Sequence, residues 1–438
     1  MKLLIYTHDL SCNGANKHLC RILPYLNKEF DTVLAVNISK GSDYLLSSLP
    51  KNLKNRLSLK SPTGHLFIES PNLLKAANKL AAIIRQQKPN IVLSVGSLSN
   101  GTALLAKKLT AVPNAVSKKS SAAGKSALPK YVCLAQQHLS KQIAATASVQ
   151  ERYFYKALSK FYKSADLIIA ASEGIAIDLS KTTPALVSKI KTVHNAGYDE
   201  DCTKLAVKPT GEKIFDKRAA AEKRKELLGK TGKKAPEGTK FHLEFADVPI
   251  ITACCNFAPR KNLSLLIKAF AKVHEKVRRA RLVIIGAPKN PASSRNTAAG
   301  KELTGLTRLI SQLKLDSFAD ILPFHNNPYK YLSKSDVCVL PSLYENFGTV
   351  LTEAMAVGCP VIACNCSAGP NEIIEDNKCG FLVPVNDVSV LAQNILLLLG
   401  KKNLQEKFRT AGLERVKLFA PSRIADKTIS LLSKFRAE

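Results

Sequence analysis

Two kinds of hydrophobic pattern alternate along the chain. Short contiguous apolar runs, such as "KLLIY", "TVLAV" and "NIVLSV" in the first half, are bounded by polar residues. Their length and Val, Ile and Leu content read as strands buried on both faces. Between them, "NLLKAANKLAAIIRQQK" and "GTALLAKKLT" place apolar residues every three or four positions and read as helices. A helix from about Lys17 to Leu26 follows the polar loop "THDLSCNGANKH". "YFYKALSKFYKSADLIIAASEGIAIDL" reads as helix, strand and helix start, with Ser172 placed to cap and Glu173 after it. "KIKTVHNAG" (189–197) closes this series with a strand. A second series opens at "PIITACCNF" (249–257) and continues through helix "LSLLIKAFAKVHEKV", strand "RLVIIG", helix "LTRLISQL" and a strand near "DILPF". It ends with helix "SVLAQNILLLL" and the amphipathic "SRIADKTISLLSKF". Strands and helices alternating over this length predict two doubly wound α/β domains facing each other.

The expected boundaries are a first domain at 1–198, a linker with the basic helix "EKIFDKRAAAEKRKELL" at 199–247, a second domain at 248–418 and a final helix at 419–438. The length of 438 residues suits two domains, each with its own core.

Within the second series, "VCVLPSL", "LYENFGTVLTEAMAVGCP" (343–360) and "PVIACNC" read as strand, loop, helix and strand. Gly358 and Pro360 stop the helix. Gly348 stands where the loop turns into it, and a helix N-terminus offers free amides to an anion. Glu345 lies in the loop and Glu353 about one turn into the helix, facing the same crevice. Two readings stand: ordinary loop and helix acids, or carboxylates that accept hydrogen bonds from a sugar or ribose while backbone amides hold phosphates. A nucleotide sugar presents both kinds of group.

Charge adds a second theme. The net charge is +31, and no acid occurs between Glu69 and Glu151, an interval with eleven Lys or Arg. They include Lys107, Lys108, Lys118, Lys119, Lys125 and Lys130. "SKKSSAAGKSALPK" (117–130) has no period and reads as a mobile basic loop. A field of one sign attracts polyanions: anionic lipid headgroups, phosphorylated substrates or nucleic acid. Nucleic acid is the weaker candidate, because the interval lacks interleaved aromatics and "GKTGKK" (229–234) lacks the upstream glycine and strand of a P-loop. The eleven cysteines are scattered without a zinc spacing and read as reduced, structural thiols. "MKLLIY" reads as a first strand and not as a secretory signal, so a cytoplasmic protein is expected.

The motifs resemble one family in particular. "LYENFGTVLTEAMAVGCPVIA" is similar to the donor motif of the family-four retaining glycosyltransferases: Glu, seven residues, Glu, then a helix end and strand entry. "NPYKYLSKSDVCVLPS" before it, "AGPNEII…CGFLVPVND" after it and "PRKNLSLLIKAF" upstream continue the resemblance in order. "KSADLIIAASEGIAIDL" and "SCNGANKHL" resemble parts of the family's amino-terminal domain. The resemblance covers most of the chain and is strongest from 250 to 390.

That resemblance implies the GT-B fold: α/β, two Rossmann-like domains facing a cleft, with the C-terminal helix crossing back to the N-terminal domain. It implies that Glu345 hydrogen-bonds donor-sugar hydroxyls and stabilises an oxocarbenium-like transition state. The amides of Asn346, Phe347 and Gly348 would hold the sugar, those of Thr349 and Val350 the phosphates, and Glu353 the ribose. Lys261 would clamp the diphosphate, whose charge grows as the glycosidic bond breaks. Gly14 would let the backbone approach the phosphate, and His138 falls near the family's histidine beside the donor sugar. Glu372 either touches the nucleotide region or caps a helix.

One departure stands out. Asn256 occupies the position where the family commonly has arginine, and Arg260 is the candidate replacement because guanidinium pairs phosphate bidentately. Gln136 and Gln137 stand near His138 where the family often has another arginine.

The implied reaction transfers a sugar from a UDP- or GDP-linked donor, with retention, to a glycan or lipid-linked acceptor, as in cell-surface polysaccharide or lipopolysaccharide synthesis. It needs no essential metal and no cofactor. An anionic membrane surface on the cytoplasmic face is the expected docking partner. The alternatives are a sugar-nucleotide epimerase on the same fold and a non-catalytic basic protein that binds anions or nucleic acid.

Overall fold

The computed structural model describes residues 1–8, 10, 13–36, 73–111, 128–145, 149–208, 248–288 and 297–436. The chain divides into two compact units, Met1–Tyr198 with Leu418–Glu438, and Asp199–Lys417. Most of the 117–130 stretch, the basic helix expected after 208, and "GKTGKK" lie outside the described residues.

The first unit is built on a six-stranded parallel sheet in the order β2-β1-β3-β4-β5-β6. The strands are β1 (Lys2–Thr7), β2 (Asp31–Val36), β3 (Ile91–Val95), β4 (Lys130–Ala135), β5 (Leu167–Ala170) and β6 (Ile190–Thr192). Its helices are α1 (Gly14–Glu29), α2 (Leu73–Gln87), α3 (Ser97–Ala111), α4 (Leu139–Ala145), α5 (Val149–Tyr162) and α6 (Glu173–Thr182). Strands β1 to β5 are covered on both faces, which is why they read as apolar runs, whereas β6 exposes Lys191. Leu4 and Tyr6 of β1 enter one core with α2, α3, α5 and α6. Leu3 and Ile5 point the other way, into a core with Leu19, Ile22 and Leu26 of α1.

The chain's last helix, Pro421–Ser433, contributes Ile424, Ala425 and Leu432 to that second core. The final helix thus returns to the first unit as expected. Ser172 caps α6 by accepting from the amide of Ile175 at 3.2 Å. α1 starts three residues before Lys17, because Asn13 caps it through the amide of Asn16 at 2.9 Å. It runs on through Pro24 to Glu29.

The second unit repeats the plan with the order β12-β11-β10-β7-β8-β9, again parallel. Its strands are β7 (Ile250–Cys254), β8 (Arg281–Ala287), β9 (Ala319–Pro323), β10 (Val337–Leu340), β11 (Val361–Cys364) and β12 (Phe381–Val383). Its helices are α7 (Cys202–Ala206), α8 (Leu263–Lys276), α9 (Ala298–Gln312), α10 (Tyr329–Leu332), α11 (Thr349–Ala356), α12 (Pro370–Ile373), α13 (Val388–Gly400) and α14 (Lys402–Val416). The start of the expected linker differs from the structure. Asp199–Lys208 pack within this unit, where the Tyr329 hydroxyl donates to the Asp199 carboxylate at 2.7 Å and Asn327 donates to the carbonyl of Leu205 at 2.9 Å.

The strand order decides where a site can form. From β7 the chain moves outward through β8 and β9, then returns to the other side of β7 as β10. Loops leaving the carboxyl ends of β7 and β10 therefore diverge and leave a crevice between them.

Candidate active site

Two charged loops meet at that crevice. After β7 the chain makes a single tight turn, Pro259–Lys261, which ends in Asn262 at φ 50. Asparagine tolerates this left-handed conformation better than most residues. Its side-chain amide donates to Asn386 at 2.9 Å, which fixes the turn against the loop before α13. After β10 comes Ser342–Gly348. The amide of Leu343 donates to the carbonyl of Arg260 at 2.8 Å and joins the two loops.

Glu345 is the centre of the arrangement and is buried. Its Oε1 accepts from Lys261 Nζ and from Ser342 Oγ, the latter at 2.7 Å. Its Oε2 faces Arg260 Nη1 at 3.5 Å. Arg260 is half-buried, with its guanidinium 5.7 Å from the centre of the Tyr344 ring. Burial alone would raise the Glu345 pKa. The charges of Lys261 and Arg260, with the hydrogen bonds from Lys261 and Ser342, outweigh it and hold the carboxyl below its ordinary value. One carboxylate is thus shared by two cations, an excess of positive charge at the carboxyl end of the sheet.

Next to it stands an open helix end. Gly348 precedes α11 with φ 94 and no side chain, so no side chain caps the first turn. The amides of Thr349 and Val350 begin the helix, and the dipole of α11 is positive there. Gly369, at φ 82, backs this loop so closely that a Cβ would lie 2.2 Å from the carbonyl oxygen of Phe347. Asn346 and the buried Phe347 complete the loop. Glu353, one turn into α11, is buried. Its charge helps push up the Cys338 thiol, after burial and the thiols of Cys359 and Cys255.

The structure therefore brings Arg260, Lys261 and Glu345 into contact and places Asn346, Phe347, Gly348, Thr349, Val350 and Glu353 on the adjoining loop and helix. Asn256 is exposed, and the second cation comes from Arg260. Glu372 caps its own helix by accepting from the amide of Gly369 at 3.3 Å. The spacing Asp199–Glu200–Asp201 has the form of a metal-binding pair. Asp199 is held by the Tyr329 hydroxyl, and no cluster of three His, Cys, Asp or Glu among the described residues could hold a metal ion.

Gly14 and His138 belong to the first unit. Gly14 opens α1, and His138 is buried just before α4. Around them the carboxyl ends of the strands carry neutral polar side chains. Ser97 donates to Gln137 at 2.9 Å, and the amides of Gln136 and Asn195 pair reciprocally at 2.9 and 2.8 Å. From α1, His18 Nδ1 accepts from the amide of Ala196 at 2.9 Å, while Arg21 donates to the same residue's carbonyl at 3.1 Å. Burial, and then the Arg21 charge, lower the His18 pKa to about 3.

Residues 236–415 match the family of glycosyl transferases group 1. The second unit thus carries the group 1 glycosyltransferase domain. The chain is 23% identical, over 98% of its own length and 99% of the other chain, to an N-acetylgalactosamine-N,N'-diacetylbacillosaminyl-diphospho-undecaprenol 4-alpha-N-acetylgalactosaminyltransferase of Campylobacter jejuni. Among solved structures it is similar to HepE of Anabaena in complex with UDP-glucose, with a TM-score of 0.70 and 16% identity over 99% of this chain and 100% of that one. It is also similar to sucrose-phosphate synthase of Thermosynechococcus elongatus, with a TM-score of 0.71 and 18% identity over 100% of this chain and 99% of that one. These likenesses show the GT-B architecture of two Rossmann-like domains.

Sequence reasoning missed Ser342 and Cys366. Ser342 hydrogen-bonds Glu345 directly. The Cys366 thiol is raised to about 11 by burial and then by the Glu345 charge. Ser342 is three residues before Glu345, so its spacing was a usable signal. Cys366 follows β11 and reaches the site only through the pairing of β11 with β10.

Proposed function

We propose that the protein transfers a sugar from a UDP-linked donor, with retention at the anomeric carbon and without a metal ion, to a lipid-linked glycan acceptor. The observation that carries the reading is the pairing of Glu345 with both Lys261 and Arg260 beside the uncapped start of α11. In this reading the diphosphate docks on the two cations and on the amides of Thr349 and Val350. As the bond from the anomeric carbon to the phosphate oxygen breaks, the leaving group gains charge, and the fixed cations stabilise it. Glu345, held ionised, hydrogen-bonds the sugar hydroxyls and faces the positive charge that develops on the ring. The acceptor oxygen bonds to the anomeric carbon on the face the phosphate leaves, and its proton passes to the departing phosphate oxygen.

The names of the similar proteins support the finer parts of the reading. UDP-glucose occupies the Anabaena protein, and the Campylobacter enzyme's name gives an undecaprenol-linked acceptor. A lipid-linked acceptor makes the protein a peripheral visitor to a membrane, on its cytoplasmic face. No helix among the described residues is long and apolar enough to cross one.

The test is a thermal-shift and donor-hydrolysis screen of the purified protein with UDP-sugars and GDP-sugars. Stabilisation and slow hydrolysis by one UDP-sugar, both lost in Glu345→Ala, are the expected result. A response to GDP-sugars alone, or to none, overturns it.

A further inference from the structure

We propose that Arg415 of α14 is a positioning residue of the candidate active site: its guanidinium holds α12 and, through α12, the backbone of Phe347 and Gly348. α12 is a single turn of four residues, too short to keep its place by its own hydrogen bonds. Two close contacts make its place matter. Its cap, Gly369, leaves no room for a Cβ beside the carbonyl of Phe347. Its last residue, Ile373, is buried, with Cδ1 3.8 Å from where a Cβ on Gly348 would stand. The start of α12 therefore backs Phe347 and its end backs Gly348, the two residues that lead into α11.

Arg415 grips the far end of this turn. Its Nε donates to the carbonyl of Ile373 and its Nη2 to the carbonyl of Glu372, both at 2.9 Å. Its Nη1 pairs with Glu375 Oε1 at 2.7 Å. Carbonyls at a helix end have no partner within the helix, and the guanidinium supplies one. Three bonds in three directions need a planar fork of N–H groups, which only arginine offers. Glu375 is 45% exposed, and an ion pair at such a surface contributes little, so the two carbonyls are what the guanidinium secures. α14 is itself anchored. A Cβ on Gly412 would lie 3.3 Å from Met355 Cγ of α11, and the Phe408 ring meets that of Phe381 edge-on with centres 4.8 Å apart. Gly412 and Arg415, three residues apart, share one face of α14. That face fixes α11 and α12 relative to each other, and the turn Phe347–Gly348 is held where they meet.

The proposed reading gives the amides of this turn and of the first residues of α11 to the sugar and the diphosphate, and the inference rests on that reading for its substrate. Glu345 keeps separate anchors in Lys261 and Ser342. Loss of Arg415 therefore loosens the backbone that binds the donor and leaves the carboxylate and the cations in place. Binding lost equally from ground state and transition state raises KM and leaves kcat unchanged.

The experiment follows UDP-sugar hydrolysis and amide hydrogen exchange in the full chain, both well below the unfolding temperature of each variant. Arg415→Gln is expected to raise KM for the donor about ten-fold with kcat near that of wild type. Arg415→Lys keeps the charge and the pairing with Glu375 but cannot bridge two carbonyls, and is expected to behave like Arg415→Gln. Glu375→Gln keeps the carbonyl contacts and is expected to match wild type. In the ligand-free protein, both Arg415 variants are expected to speed exchange across 346–353, where the amide of Leu351 donates to the carbonyl of Gly348 at 2.9 Å, while β7 stays protected. An unchanged KM in Arg415→Gln overturns the proposal, and so does a Glu375→Gln variant that raises KM as much. A lower Tm without faster exchange across 346–353 makes Arg415 a general stabiliser and overturns it as well. Faster exchange there in a protein that hydrolyses no UDP-sugar supports the positioning role and sinks the transferase reading instead.

Discussion

Lys261 and Glu345, 84 residues apart in sequence, form a buried ion pair because β7 and β10 are neighbours in the sheet. Breaking such a pair from one side leaves an uncompensated charge. Lys261→Ala is expected to cost about 3 kcal/mol of unfolding free energy. Adding Glu345→Ala is expected to recover part of it, and denaturant unfolding of the two single variants and the double closes the cycle. Additive losses would show that the pair carries no coupling.

The same carboxyl makes stability depend on acid. Its pKa is depressed in the folded state, so the unfolded chain binds the proton more readily. The stability it contributes is present above the unfolded carboxyl value of about 4.3 and is lost as pH falls through the folded value. Wild type is expected to lose its advantage over Glu345→Gln below about pH 4. A constant difference from pH 7 down to acid denaturation would contradict this. For transfer itself, Glu345→Gln is expected to lower kcat by about 100-fold to 1000-fold.

His18 gives a second, separate window. Its pKa falls from 6.5 to about 3 on folding, so the unfolded chain takes up a proton that the folded one refuses. Stability is complete above pH 6.5 and declines as pH falls toward about 3. Full development of this difference gives a slope of about 1.4 kcal/mol per pH unit. His18→Asn keeps an acceptor for the amide of Ala196 and does not titrate. Its stability is expected to be flatter than wild type between pH 4 and 6 when both are unfolded in urea.

Gly369→Ala strikes the loop that carries Glu345 without touching its charges. The new Cβ would meet the carbonyl of Phe347, and φ 82 strains any residue but glycine. The strain costs about 1–3 kcal/mol and displaces the loop that carries Glu345. The variant is expected to fold with a lower Tm and to lose the thermal shift given by the donor. An unchanged shift would mean that the loop yields without consequence.

The cations are proposed to do the work of a metal. UDP-sugar hydrolysis is expected to survive EDTA at the wild-type rate and to fall in Lys261→Ala whether or not magnesium is added. Inhibition by EDTA that magnesium reverses would overturn the metal-free reading.

The local pattern made the unit around Glu345 legible. The apolar run of β10, the glycine before α11 and the glycine and proline after it each follow from short-range chemistry. The cap on α6 was legible for the same reason. Long-range features were not. Nothing in the periodicity says that β10 returns beside β7; the resemblance placed Glu345 and Lys261 in one site, and their contact came with the structure. Cys366 comes to the site through the pairing of β11 with β10, whereas the contact of Ser342 with Glu345 is local. β4 adjoins a Ser-, Lys- and Ala-rich stretch that obscures its start, and β12 is three residues long. α14 buries only Phe408, Gly412 and Val416, too few to mark an apolar face. The reciprocal amides of Gln136 and Asn195 join residues 59 apart, and their types alone carry no hint of it.

The wall that Ile424, Ala425 and Leu432 build beside Leu3 and Ile5 sets an order of events during synthesis. A nascent chain leaving the ribosome finishes every strand of the second sheet before it delivers the helix that covers the first. The half translated earliest is therefore the last to close, and until then it carries an apolar seam along α1 and β1. A chaperone that holds such seams meets this protein late in translation, on its oldest residues. A premature stop after Lys417 leaves the second unit whole and the first one open.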